Sequence, residues 1–77
     1  MTRFVLIPTN EGQSMNCSVQ YMGTPEGAAT RAQQIAAGLQ SVLDGATINC
    51  EVRQQGVDGS NEFLVVDPLG VTTKAKR

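Results

Sequence analysis

Two short segments carry the same pattern around a cysteine: "MNCSVQYM" at 15–22 and "TINCEVRQ" at 47–54. Each has an apolar residue, then Asn-Cys, one variable residue, a Val and a polar residue. Cys17 and Cys50 are the only cysteines, and the chain has no histidine. A structural zinc site needs four Cys or His ligands, so these two would complete one only by combining two subunits. They are not in Cys-x-x-Cys spacing, which argues against a thioredoxin-like redox pair. A nucleophilic cysteine wants a histidine or another cation beside it, and the sequence offers no histidine. The remaining reading is two core thiols, reduced and replaceable. A disulfide would require the two segments to be neighbouring strands, because it needs Cα atoms within about 7 Å.

Other chemistry is sparse. No lysine precedes Lys74, so the usual phosphate-binding or Schiff-base lysine is missing from the body of the chain. "GTPEGAATR" at 23–31 resembles an anion-binding helix start, but it lacks the Walker lysine and glycine spacing. Glu26 already occupies its positive end. Asp58, Glu62 and Asp67 lie in or beside turn segments, and Asp44-Gly45 and Asp58-Gly59 are turn dipeptides, where carboxylates are commonplace. Catalysis is not expected, and neither a metal nor an organic cofactor is implied.

The elements that hold these residues follow from hydrophobic period. Met15, Cys17, Val19 and Tyr21 alternate with polar residues, as do Ala46, Ile48, Cys50 and Val52. Period 2 describes a half-buried strand and places both thiols on the apolar face. "RFVLI" (3–7) and "EFLVV" (62–66) run apolar without alternation, with Pro8 and Pro68 soon after each. Such runs suit strands covered on both faces. "PTNEGQS" and "QGVDGSN" have the composition of hairpin loops joining each run to its alternating neighbour.

Between the hairpins lies one helix. Thr24 suits the N-cap, Pro25 the first position, Glu26 the first turn and Gly45 the stop. Ala28, Ala32, Ile35, Ala36, Leu39, Val42 and Leu43 form a stripe at helical spacing. The fold class is therefore α+β, ββαββ, a four-stranded mixed or antiparallel sheet with one helix on one face. Placing the doubly apolar strands inside and the alternating ones outside gives order 2-1-4-3, with 1-2-3-4 as the alternative.

Length and charge bound the function. A chain of 77 residues makes one small domain, expected over 1–72 with a short basic tail at 73–77. A core this small often recruits a second subunit. There is no stretch of eighteen apolar residues and no signal-peptide pattern at the start, so the expectation is a cytoplasmic protein without a membrane partner. All seven acidic residues and three arginines precede Lys74, while Lys74, Lys76 and Arg77 close the chain. The acidic body argues against broad nucleic-acid binding.

One helix covers one sheet face only. The other face is expected to hold Phe4 and Leu6 or Val5 and Ile7, with Phe63 and Val65 or Leu64 and Val66, inside a polar rim that includes Asn49, Glu51 and Arg53. An apolar centre with a polar rim is the anatomy of an interface. The leading expectation is a non-catalytic interaction or assembly module, a homo-oligomer or a subunit of a larger complex. A small phage-encoded or accessory structural protein would suit the composition. The alternative is a dimeric nucleic-acid-binding regulator presenting Arg3, Arg53, Lys74, Lys76 and Arg77 on one side.

Overall fold

Among the described residues, six strands and one helix follow one another along the chain. They are β1 (Thr2–Asn10), β2 (Gln13–Ser14), β3 (Val19–Gly23), α1 (Pro25–Val42), β4 (Ile48–Gln54), β5 (Glu62–Val66) and β6 (Thr72–Lys76). The structure, a computed structural model, describes residues 1–56 and 62–76. Most of the expected 55–61 hairpin loop, Asp58 included, and the terminal Arg77 lie outside the described residues.

The first hairpin turns on Glu11 and Gly12, with φ of 52° and 81°. Two successive positive φ values make the type I′ turn whose twist matches its strands. Beyond it the returning strand breaks. β2 pairs with β1 through Thr9↔Ser14, and β3 through Leu6↔Val19 down to Thr2↔Gly23. Continuing the first register would put Cys17 opposite Leu6, yet Val19 stands there. Two extra residues are thus looped out. Pro8 is the cause on the β1 side: its carbonyl accepts from Met15 N at 3.1 Å, but it has no N–H to return. Asn16 answers on the other side with a left-handed φ of 60°, its N–H donating to Ser14 Oγ at 3.1 Å. Pro8 was expected to follow the first strand and instead sits buried inside it.

The sheet is antiparallel and curled, in the order β2-β1-β4-β5-β6, with β3 sharing the β2 side of β1. The expected 2-1-4-3 order is corrected on two points. First, the Cys50 strand, β4, is interior, paired with β1 over Phe4↔Gln54 to Asn10↔Ile48. β3 and β4 both run antiparallel to β1, so α1 carries the chain from one flank of β1 to the other, a split β-α-β unit. Only residues 43–47 join α1 to β4, too short a link to reach a distant edge. Gln40 fixes that link: its Nε2 donates to Ala46 O at 2.6 Å and its Oε1 accepts from Ile48 N at 3.0 Å.

Second, the residues expected as a basic tail form β6, which pairs along β5 from Glu62↔Lys76 to Val66↔Thr72. The sequence "DPLGV" at 67–71 makes the turn. Asp67 Oδ1 accepts from Leu69 N and Val71 N, each at 2.9 Å, and Gly70 N donates to Asp67 O at 3.0 Å. Gln33 Nε2 donates to Pro68 O at 2.8 Å and ties this turn to the helix. With β6 outside it, the doubly apolar β5 is an interior strand.

α1 starts as its sequence directs. Thr24 Oγ1 accepts from Gly27 N at 3.0 Å, and Pro25 takes the first position. Ala28, Ala32 and Ala36 are fully buried against Phe4, Leu6, Ile48, Cys50, Val52 and Val66. Three small side chains four residues apart let the helix axis approach the sheet. Each fully buried Leu, Ile or Val opposite them contributes about 1.5–3 kcal/mol. Tyr21 of β3 lies over the helix start, so close to Gly27 that a Cβ there would collide with its hydroxyl. Val42, expected in the stripe, is 75% exposed, while Leu39 and Leu43 on either side of it pack against the core.

Candidate interaction surface

Strand pairing decides which residues face away from the helix. Leu6, Val52 and Leu64 share one row, and Pro8, Cys50 and Val66 another, both on the helix side. The other parity puts Val5, Ile7 and Thr9 of β1, Asn49, Glu51 and Arg53 of β4, and Phe63 and Val65 of β5 on the helix-free face. Gln20 and Met22 of β3 join them at one margin, Thr73 and Ala75 of β6 at the other. Of the eight candidate interface residues, Phe4, Leu6, Leu64 and Val66 therefore belong to the helix side, with Phe4, Leu6 and Val66 buried in the core. Val5, Ile7, Phe63 and Val65 lie on the helix-free face.

The centre of that face is not bare. The Arg53 guanidinium sits 4.3 Å over the Phe63 ring, a cation–π contact worth about 0.5–1 kcal/mol where water reaches it. Two of its nitrogens, Nε and Nη2, donate to Glu51 Oε1 at 3.1 and 2.9 Å. The Glu51 side chain is only 7% exposed and that of Arg53 30%. This pairing is how an alternating strand can lie in the middle of the sheet: its polar face is neutralised by its own next-but-one neighbour. Around the Phe63–Arg53–Glu51 group, Val5, Ile7 and Val65 are half-buried and Met22 is 52% exposed. Among the described residues no second layer of helix or strand lies over them.

The basic residues expected on one side are divided. Arg3 and Arg53 lie on the helix-free face, while Lys74 and Lys76 alternate onto the helix side of β6. Lys76 Nζ is 3.9 Å from Glu62 Oε1 in an exposed pair, the kind that contributes little.

The two thiols also part company. Both are free. Cys50 is fully buried, and its pKa is pushed up to about 12, first by burial, then by the Glu51 charge and Cys17. It is inert at neutral pH. Cys17, expected in the core, is exposed, because the left-handed Asn16 lifts it out of the pleat. A groove of about 810 Å³ between the β1–β2 turn and the end of α1 is lined by Asn10, Glu11, Val42, Leu43 and Asp44 among others, and holds two carboxylates but no base beside them. Among the described residues, no three His, Cys, Asp or Glu side chains come together as metal ligands, and every buried side-chain nitrogen or oxygen has a partner. No described helix is long and apolar enough to cross a membrane.

No family model, curated protein or solved structure matches this chain.

Two features of this surface went unread in the sequence. The β6 strand had a signal: Asp at the first position of "DPLG", Pro at the second and Gly at the fourth is a type I turn signature, and Val71, Thr72 and Thr73 after it are strand formers. The Glu51–Arg53 pair had a weaker one, since opposite charges two apart on a strand share a face.

Proposed function

We propose that this chain is a non-catalytic interaction and assembly module that docks onto a second copy or a larger complex through the helix-free face of its sheet. The observation that supports it is the half-buried trio Val5, Ile7 and Val65 around the Phe63–Arg53–Glu51 group. An apolar centre with a planar guanidinium in its midst is the composition in which binding energy concentrates. Gln20, Asn49 and Thr73 supply a polar rim. The nucleic-acid reading is not preferred, because Arg53 is already held by Glu51 and Phe63 while Lys74 and Lys76 point to the other side.

The test is the native mass of the protein recovered gently from its source, compared with Ile7→Lys/Val65→Lys, which sets opposite charges beside Glu51. The wild type should travel in a particle heavier than one chain. The double variant should fall to the mass of one chain, or of its edge-paired dimer, with its circular dichroism unchanged. A wild-type particle that the double variant leaves intact would overturn the reading.

A further inference from the structure

The sheet ends in β6 on one side and in β2 and β3 on the other, and the outer backbone groups of β3 and β6 have no partner among the described residues. They differ in how those groups are guarded. β6 carries Lys74 and Lys76 within five residues, and lysine on an edge is a common device against further pairing. The β3 side carries no charge at all: from Gly12 to Pro25 the chain has neither Asp, Glu, Lys nor Arg, and no proline before Pro25. Its side chains are accessible on both faces, with Val19 at 44% exposure toward the helix side and Met22 at 52% on the other.

We propose that the β3 edge pairs antiparallel with the β3 edge of a second copy of this chain. A two-fold pair sets a strand opposite itself, so every charge on it meets its own like nearby. β3 satisfies that condition in any register, and β6 violates it. The loop at Asn16 limits the pairing to the short β3 segment. Once the two β3 edges are joined, the lysine-bearing β6 strands are outermost at both ends. The product is a closed dimer and not a growing ribbon.

A two-fold axis between antiparallel strands stands perpendicular to the sheet. Both helices then lie on one side, and both helix-free faces form one continuous surface on the other. The inference thus deepens the assembly role and rests on it for its purpose. The edge itself is tested apart from the face.

The experiment is sedimentation equilibrium of the wild type, of Val19→Lys and of Ile7→Lys/Val65→Lys, from about 1 to 100 µM, with amide exchange followed in parallel. Val19 is exposed on the helix side of β3, so the lysine copies the β6 guard without entering the core or touching the helix-free face. The wild type should dimerise. The edge variant should bind at least tenfold more weakly, the face variant should still dimerise, and exchange in 18–23 should slow as concentration rises. A wild type that stays one chain at the highest concentration overturns the edge pairing and leaves the face reading standing. Dimerisation lost in the face variant but kept in the edge variant also overturns it. So does slowed exchange in 18–23 that appears only when a different protein is added.

Discussion

The two Asn-Cys segments begin from nearly the same residues and end in opposite situations. Around Cys50 the chain forms the seven-residue central strand β4, covered by α1 on one side and by its own Glu51–Arg53 pair on the other. Around Cys17 it leaves the sheet, and only Val19 onward returns to it as the five-residue edge strand β3. The difference lies in the neighbours. β4 faces a full run of β1 donors and acceptors on one side and β5 on the other. The Cys17 segment faces the one residue of β1 without an N–H, Pro8, and among the described residues no strand lies beyond it. Period 2 describes which side chains share a face. Whether the segment stays in the sheet is settled by hydrogen-bond partners contributed from elsewhere.

The largest test of this contrast is Leu6, which stands between Val52 of one segment and Val19 of the other. Leu6→Ala should cost about 2–5 kcal/mol, a large share of what a domain this small has. A urea midpoint near that of the wild type would show that the two segments are not held through β1.

Next comes the pair of serine substitutions. Cys50→Ser places a hydroxyl in a fully buried site and should cost about 1–3 kcal/mol. Cys17→Ser at the surface should stay within about 0.5 kcal/mol. Equal losses would contradict the divided placement, and so would labelling of both thiols by iodoacetamide in the native protein.

A further test is pH dependence, seen only under alkaline conditions. The Cys50 pKa is raised from the ordinary 9.0 to about 12, so the folded state holds its proton more tightly than the unfolded one. The stabilisation is complete below about pH 9 and is lost as pH rises toward 12, at about 1.4 kcal/mol per pH unit. Cys50→Ala should remove this slope when compared with the wild type under the same conditions. An identical alkaline fall in both proteins would sink the assignment.

The helix start and its alanine stripe were legible because their signals are local, a capping threonine, a proline and three alanines four apart; its last turn was not, since Val42 was expected in the stripe and is exposed. The core face of β4 was legible for the same reason, but in β1 and β5 either alternate set could have faced the helix. Strand order was not. It depended on a five-residue link after α1 and on Gln40 reaching across it, and neither leaves a period in the sequence. β6 was written in "DPLG" but outweighed by its lysines, which read as a solvated end. Of the candidate surface, Val5, Ile7 and Val65 were within reach of pattern alone. The parity that separates them from Leu6 and Val66 came only from pairing.

The position of β1 sets an order of events for a chain made from its amino end. β1 is flanked on both sides, yet the strand that completes it arrives late: Thr9 is matched by Asn49, forty residues onward. At roughly 5–20 residues per second of synthesis, β1 waits about 2–8 seconds with only the β2 and β3 side available to it. During that interval the nascent hairpin presents one bare apolar flank, and the helix that will cover it has nothing to lie across until β4 emerges. Contacts this distant in sequence also slow refolding of the finished chain. Until β4 emerges, that flank of β1 is a strand edge with no pairing partner of its own.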